Sequence, residues 1–548
     1  QALKSNTIGI DNVAMGFRVL CANTTGNYNI GIGSYNLNAN TTGQYNVAIG
    51  YQALKSNTIG IDNVAMGFRA LCANTTGYNN TALGGRALQY NTTGSCNVAI
   101  GQNALYANTT GNENVAIGEG ASKCNTTGGT NTAIGNQTLF ANTTGYNNVA
   151  IGTCTLFTNC GCYNTGVGFL ALRFNTTGHS NSAIGTRSMQ SNTTGRQNTA
   201  LGYKSLFANT IGVCNTAIGH SSLHSNTTGY LNVSVGTYTM FDNTTGHSNT
   251  AVGYQSLRYN TIGTQNTAIG MNALVCNTTG TCNVAIGACS LYSNTIGTDN
   301  TAIGGYALFT NTTGIMNTAI GTCALYYNTT GICNTAIGKD SLAAVTNGFS
   351  NIALGYQAGN NITTGSGNVV IGHGDVASAT GDKQFKISDG VDGSVVWLTG
   401  DSSGNVGIGT SNPISKLTVG DSLYSYELPK IGSGGSTNQD IIVLICEKEV
   451  DAIHLVGRFY TPSTQPSNGY QRNSFLVDVD FFVDDGVGDT PQAIFDGQYR
   501  GVNAGNSDNL KVVEATVGGT TYWGFIIQDL SSYQHPGTIY FDGGITSI

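Results

Sequence analysis

The phrase N-[TVIS]-[AGSV]-[ILMV]-G occurs 22 times between Asn12 and Asn368, at a constant step of 17 broken by a single step of 16 between Asn148 and Asn164. No other property of the chain restricts its fold as much, because a repeat this short must be one structural unit that leans on its neighbours. The aligned unit reads N-[TV]-A-[IL]-G-x-x-[AS]-L-x-x-N-T-T-G-x-x. Its first part, as in Asn131-Thr-Ala-Ile-Gly135, is short, rich in β-branched residues and stopped by glycine, the form of a brief strand. Its second, Thr138-Leu139-Phe140-Ala141, is another short apolar piece and reads as a second strand. Its third, Asn142-Thr-Thr-Gly145, is turn chemistry, since Asn and Gly tolerate positive φ and Asn and Thr side chains bond nearby backbone. Strand, corner, strand and turn make one coil of a solenoid, and no stretch has the length or the helical spacing of an ordinary helix.

A single coil of this size cannot bury its own apolar face, so stability must come from stacking. With strands about 4.8 Å apart, the 22 coils would reach roughly 100 Å. Position four (Ile49, Ile117, Ile134, Ile184, Ile269) and position nine (Leu54, Leu139, Leu223, Leu308) are almost always large and aliphatic, which predicts that both lie inside the coil. Position three, nearly always alanine as in Ala48, Ala133 and Ala268, alternates with position four and falls on the opposite face. A strand restricted on both faces is covered on both sides. One cover is the coil's own second strand, and the other is a neighbouring chain approaching closely over Ala and Gly. The competing expectation is a flattened monomeric coil whose small residues fit a narrow core. Asn stands at position one in every copy and at position twelve in all but the last three, where Val345, Ile362 and Ala379 replace it. Stacked asparagines can bond along the axis as amide ladders. The set Asn131, Ala133, Ile134, Gly135, Leu139, Asn142 and Gly145 is therefore read as structural.

Composition enters as an exclusion. Charged residues are 9 % of the chain, with 77 Gly and 6 Pro, which suits neither an ordinary enzyme nor a disordered segment. Residues 1–382 hold 12 Lys+Arg and 9 Asp+Glu, whereas 383–548 hold 9 and 19. No basic stripe stands out, so nucleic acid is not expected as a partner. No apolar run reaches a membrane span, and no signal peptide is legible. The chain opens in mid-repeat without Met, and "QALKSNTIGIDNVAMGFR" at Gln1 recurs at Gln52, so a longer N-terminal part is expected. Of 14 cysteines, thirteen are scattered over the coils and never repeat a position in adjacent coils, which argues against a ladder of disulfides. Cys154, Cys160 and Cys162 gather at the shortened step, in C-x-C rather than the C-x-x-C of zinc sites, and free thiols are the reading taken.

The period decays after Gly338, as terminal coils must to cap a stack. Two β-rich pieces follow, Phe385–Ser388 and Ser394–Leu398, and then "SSGNVGIGTSNPISKLTVG" from Ser402 to Gly420. Its core, N-V-G-I-G-T-S-N-P-x-x-K-L-x-V from Asn405 to Val419, resembles the neck found in phage tail fibres between a repetitive shaft and a C-terminal tip. The NTAIG coils are similar to the head repeats of trimeric autotransporter adhesins, a left-handed parallel β-roll assembled as a trimer. Those head repeats are usually shorter than the coils of this chain. The fold class expected is all-β: a parallel β-roll or solenoid shaft of 17-residue repeats over 1–382, expected as a homotrimer, a neck or trimerisation segment over 383–420, and an antiparallel β-sandwich tip over 421–548. The tip rests on six strand-like runs, Asp440–Cys446, Ala452–Gly457, Phe475–Val483, Leu510–Thr516, Tyr522–Ile527 and Thr538–Phe541, separated by Gly, Asn, Asp, Ser and Pro.

No G-x-S-x-G, P-loop or H-E-x-x-H is present, and no enzyme is expected. Two surfaces of the tip invite a ligand. Tyr470, Tyr499, Tyr522, Trp523 and Tyr533, with Tyr460, offer aromatic faces to a glycan or protein receptor. Asp478, Asp480, Asp484 and Asp485, with Asp489, crowd carboxylates on a strand end and turn, where oxygen ligands could hold Ca²⁺; a solvated acidic loop is the plainer reading. The function expected is that of a virion fibre: an extracellular homotrimeric shaft, joined to other tail or baseplate proteins, that presents a receptor-binding tip to the host surface. A bacterial surface adhesin and an ice-binding lattice, the latter built on rows of Thr143-Thr144 equivalents, are the alternatives.

Overall fold

The structure, a computed structural model, describes residues 1–419 and, beyond them, the backbone of eight strands between Ile441 and Ser547. Two compact units divide at Ser402/Ser403. In the first, 22 three-residue strands run from Val13–Met15 to Val369–Ile371, and each pairs in parallel with the strand one repeat on. Val13, Ala14 and Met15 face Ile30, Gly31 and Ile32, and Thr318, Ala319 and Ile320 face Thr335, Ala336 and Ile337. The chain is a parallel β-solenoid of 17-residue coils.

Each coil contains one strand, not two. The stretch expected as a second strand is a run of turns, because positions seven and nine take left-handed backbone: φ is 52° at Gln137 and 50° at Leu139. Its amides still bond along the axis, Leu139 N donating to Thr155 O at 3.0 Å. Position seventeen is left-handed as well, and Gly135 at position five has φ of 133°. Four such positions per coil close the circuit. Gly135 is obligatory for a second reason, since a Cβ there would lie 2.8 Å from the carbonyl of Gly152 in the next coil.

The strand faces the opposite way from the expectation. Ala133 is fully buried and Ile134 is not; likewise Ala183 is 0 % exposed and Ile184 41 %. The interior is too narrow for the larger residue. Where glycine replaces alanine at position three, an added Cβ on Gly166 would already sit 2.7 Å from Thr155 Cγ2 and 3.4 Å from Leu156 Cδ1. Beside the branched Thr155 there is no room even for a methyl, and the one branched residue at position three, the buried Val370, lies against Gly359, which replaces leucine at position nine of the coil before. The core is therefore a column built mostly of alanine at position three, of Ala, Ser or Thr at position eight (Val19 and Asn36 in the first two coils), and of leucine at position nine, where Met189 and Met240 twice take its place, these residues at position nine being buried as expected. The small residues fit a narrow core, and the aliphatic ones turn outward.

Asparagine supplies the rest of the interior. At position one, Asn46 Nδ2 donates to Asn29 Oδ1 at 3.0 Å and to Gly60 O at 2.9 Å, and the Asn46 amide also donates to Asn29 Oδ1 at 3.1 Å. At position twelve, Asn57 Nδ2 donates to Asn40 Oδ1 at 2.8 Å and to the same Gly60 carbonyl at 3.0 Å. One glycine carbonyl thus ties both ladders across the coil. A carboxylate could make neither donation, whereas the amide of Gln384 ends the position-one ladder, its Nε2 donating to Asn368 Oδ1 at 3.4 Å and to Gly381 O at 2.9 Å. Each rung satisfies groups that would otherwise cost about 1–3 kcal/mol if left buried and unpaired.

At the shortened step the pairing stays in register, Val149, Ala150 and Ile151 facing Thr165, Gly166 and Val167, with Leu156 and Leu172 buried. The missing residue corresponds to position fourteen. Its loss breaks the position-twelve ladder: Asn159 bonds Gly161 O at 2.8 Å but not Asn142, whose Oδ1 has no partner. The ladder ends again at Asn328 Oδ1, where the next coil carries Val345.

The stack continues into Phe385–Ser388, parallel to Val369–Ile371, and closes with an antiparallel partner, Val396–Gly400. In the second unit, Val406–Ile408 pairs in parallel with Leu417–Val419. The remaining described strands are antiparallel and form two sheets. Thr520–Gln528 lies between Ile441–Glu447 and Asn509–Val517. Ala452–Tyr460 lies between Leu476–Asp484 and Tyr540–Ser547, and Leu476–Asp484 also pairs with Gln492–Phe495 and Tyr499–Arg500.

Candidate interaction surfaces

Period two dictates that positions two and four share the outer face of the strand. Over 22 coils position four is always Ile, Leu, Val or Met and position two is always Val, Thr, Ile or Ser. No charged residue occurs at either. These side chains are half-buried or exposed, with Ile151 at 39 %, Leu201 at 44 % and Leu354 at 47 %. The result is an uncharged strip, aliphatic in every coil at position four and hydroxyl-bearing at position two in eleven of them, of roughly 100 Å given strands about 4.8 Å apart. Soluble monomers rarely expose contiguous apolar patches beyond roughly 300–600 Å².

The seven residues read as structural lie in and beside one coil. Asn131, Ala133, Leu139 and Asn142 are buried, Gly145 lies over the amide ladder, Gly135 makes the corner, and Ile134 belongs to the outer strip. The threonine rows differ between their two members. At position thirteen the hydroxyl is already committed, as in Thr126 Oγ1 donating to Thr143 O at 3.0 Å, whereas position fourteen is exposed, as at Thr144.

In the second unit the candidate tip residues divide. Tyr470, Tyr533 and Asp485 lie outside the described residues, as does Asp489. Tyr522 and Trp523 are consecutive on Thr520–Gln528, in register with Glu447 and Cys446 on one side and with Ala515 and Glu514 on the other. Tyr499 is in register with Val477, and Tyr460 with Tyr540. Asp478, Asp480 and Asp484 occupy Leu476–Asp484, in register with Arg458, Val456 and Ala452. Among the described residues no three His, Cys, Asp or Glu gather as a metal site would require, and no helix is long and apolar enough to cross a membrane.

The thirteen cysteines within residues 1–419 are all free. At the shortened step Cys160 Sγ approaches Thr143 Oγ1 at 3.7 Å. Burial pushes the Cys72 and Cys276 thiols upward from their ordinary range. Of the described histidines, His224 stacks between Phe207 and Phe241, with ring centroids 5.1 and 4.7 Å away. Burial, followed by the nearby Lys204 ammonium, holds its pKa below the usual imidazole range.

Sequence reasoning missed the turn edge on which His224 sits. Aromatic rings recur at positions six, seven, ten and eleven and stack from coil to coil, as in Tyr51 on Phe68 at 5.6 Å and Phe309 on Tyr326 at 5.2 Å. The near-neutral total for the shaft also hid a segregation by position. Of its 12 Lys and Arg, all but Arg196 stand at positions six, seven or ten. Sorting charge by repeat position, rather than by region, would have found this stripe. No family model matches the chain, and comparison with curated proteins and with solved structures returns no match.

Proposed function

We propose that this chain is the shaft-and-tip protein of a virion attachment fibre, an extracellular homotrimer that holds a receptor-binding C-terminal region away from the particle. The observation that carries the reading is the uncharged strip on the outer sheet face. About 800 Å² per partner suffices for a stable protein interface, and a strip roughly 100 Å long and one strand wide offers at least that. Burying it is favourable by roughly 25 cal/mol per Å². The segment from Asn405 to Val419, with its resemblance to fibre necks, adds sequence support. In this reading the stack of coils sets the reach, and three tips raise avidity for a host glycan or protein through effective concentration.

The test is the mass of the full chain in solution by light scattering. A trimer is expected, dissociating when charges enter the strip, as in Ile134→Asp combined with Ile184→Asp and Ile269→Asp. A stable monomer of the unaltered chain at micromolar concentration would sink the fibre reading.

A further inference from the structure

We propose that the turn edge formed by positions six, seven, ten and eleven of the shaft is a second binding surface, one that takes a carboxylate-bearing polysaccharide lying along the axis. Positions six, seven, ten and eleven of the coils carry eleven Lys and Arg against three acidic residues, Glu119, Asp242 and Asp340. The opposite corner, positions sixteen and seventeen, carries Arg196 against Asp11, Asp62, Glu113 and Asp299. Among the described residues, Lys339 alone of these eleven cations is held in an ion pair, with Asp340 at 3.3 Å. Seven of the others, Arg18, Arg69, Arg86, Lys123, Arg173, Lys204 and Arg258, lie over aromatic rings. Arg69 Cζ is 5.4 Å from the Phe68 centroid, Lys204 Nζ is 5.3 Å from Tyr203, and Arg258 Cζ is 5.6 and 5.0 Å from Tyr238 and Tyr259.

The arrangement selects its ligand chemically. A guanidinium spread on a ring is pre-organised, and its fork suits a planar carboxylate. The position-six rings stay partly exposed beside these cations, Phe68 at 45 %, Tyr203 at 41 % and Tyr254 at 48 %, and offer apolar surface to a sugar ring. Cation spacing argues against nucleic acid. One Lys or Arg per two coils is about one charge per 10 Å, far sparser than the one charge per roughly 1.7 Å of duplex. It also argues against a second copy of this chain, whose acidic corner offers too few carboxylates. The edge uses none of the residues of the outer strip, so the inference stands apart from the fibre reading.

The full chain should be run in native gels containing polygalacturonate, with neutral dextran and oligo-dT as comparators. Expected is retardation by polygalacturonate alone, weakening as salt rises. The variant Arg69→Gln/Arg86→Gln/Lys204→Gln/Arg258→Gln should bind about tenfold more weakly, while Arg196→Gln, the same change on the other corner, should bind as the parent does. Lys204→Gln alone, expected to weaken binding to a smaller degree, keeps the test open if the fourfold variant does not fold. No retardation by polygalacturonate, equal retardation by dextran, tighter binding of oligo-dT, or equal loss in Arg196→Gln would each overturn the proposal.

Discussion

The two faces of a single three-residue strand carry different kinds of constraint. The inner face carries a small residue at position three, alanine in most coils, and is closed by leucine and by two amide ladders. The outer face accepts any aliphatic side chain at position four, from Val252 to Met66. The inner face is limited by volume and by hydrogen-bond satisfaction, so it determines whether a coil forms. The outer face is limited by the absence of charge and plays no part in closing the coil. A repeat can therefore look equally restricted on both sides for unrelated physical reasons.

Changes at adjacent residues should separate the two faces most strongly. Ala133→Leu should overpack the core and destabilise the coil by about 1–3 kcal/mol or more, whereas Ile134→Ala should leave coil stability within about 0.5 kcal/mol and loosen only self-association. Urea unfolding of the full chain followed by far-UV circular dichroism, alongside light scattering, separates the two. Equal destabilisation by both changes would refute the division of faces.

Two rungs of the position-twelve ladder should respond differently to the same change. Asn125 donates to Asn108 Oδ1 and Gly128 O, both at 2.8 Å, and accepts from Asn142 at 3.0 Å. Asn142 makes the corresponding donations, but its own Oδ1 is unpartnered at the shortened step. Asn125→Ala should therefore cost more than Asn142→Ala, by on the order of 1 kcal/mol, because only the first strands groups on both sides. Amide exchange near each rung reads the difference, and a reversed order would contradict the broken ladder.

The smallest expected effect concerns pH. The folded-state pKa of His224 is depressed, chiefly by burial between its aromatic neighbours, so the unfolded chain takes up the proton first as pH falls. Stability contributed by the neutral ring is present above the ordinary imidazole pKa, about 6.5, and is lost as pH drops below it. His224→Phe should flatten the stability profile between about pH 7 and 5. An unchanged slope would mean that the ring is solvated in both protonation states.

Much of the fold was legible in the chain itself. The period implied the coil, the Asn-to-Gly phrase implied the strand, and the runs from Asp440 to Phe541 anticipated most of the antiparallel strands. The left-handed positions were also written in the sequence, though in a negative form. Before the decayed last coil, positions seven and nine contain no Val, Ile or Thr, and position seventeen has Thr130 as its one β-branched residue, because such side chains resist positive φ. That exclusion speaks for turns in place of the second strand. The binding edge was less legible, since a sum over the whole shaft cancels charges that the coil places on opposite corners.

The sequence alone determined that the chain repeats, how long each coil is, and which positions tolerate change. Alternation separated position three from position four, but a period of two assigns residues to opposite faces without saying which face is inside. Only the closed coil decided that, because its interior is set by the curvature of a short circuit turning through four left-handed corners. The space left over holds an alanine, a leucine and two asparagine amides in most coils, and the large aliphatic residue at position four had to face out.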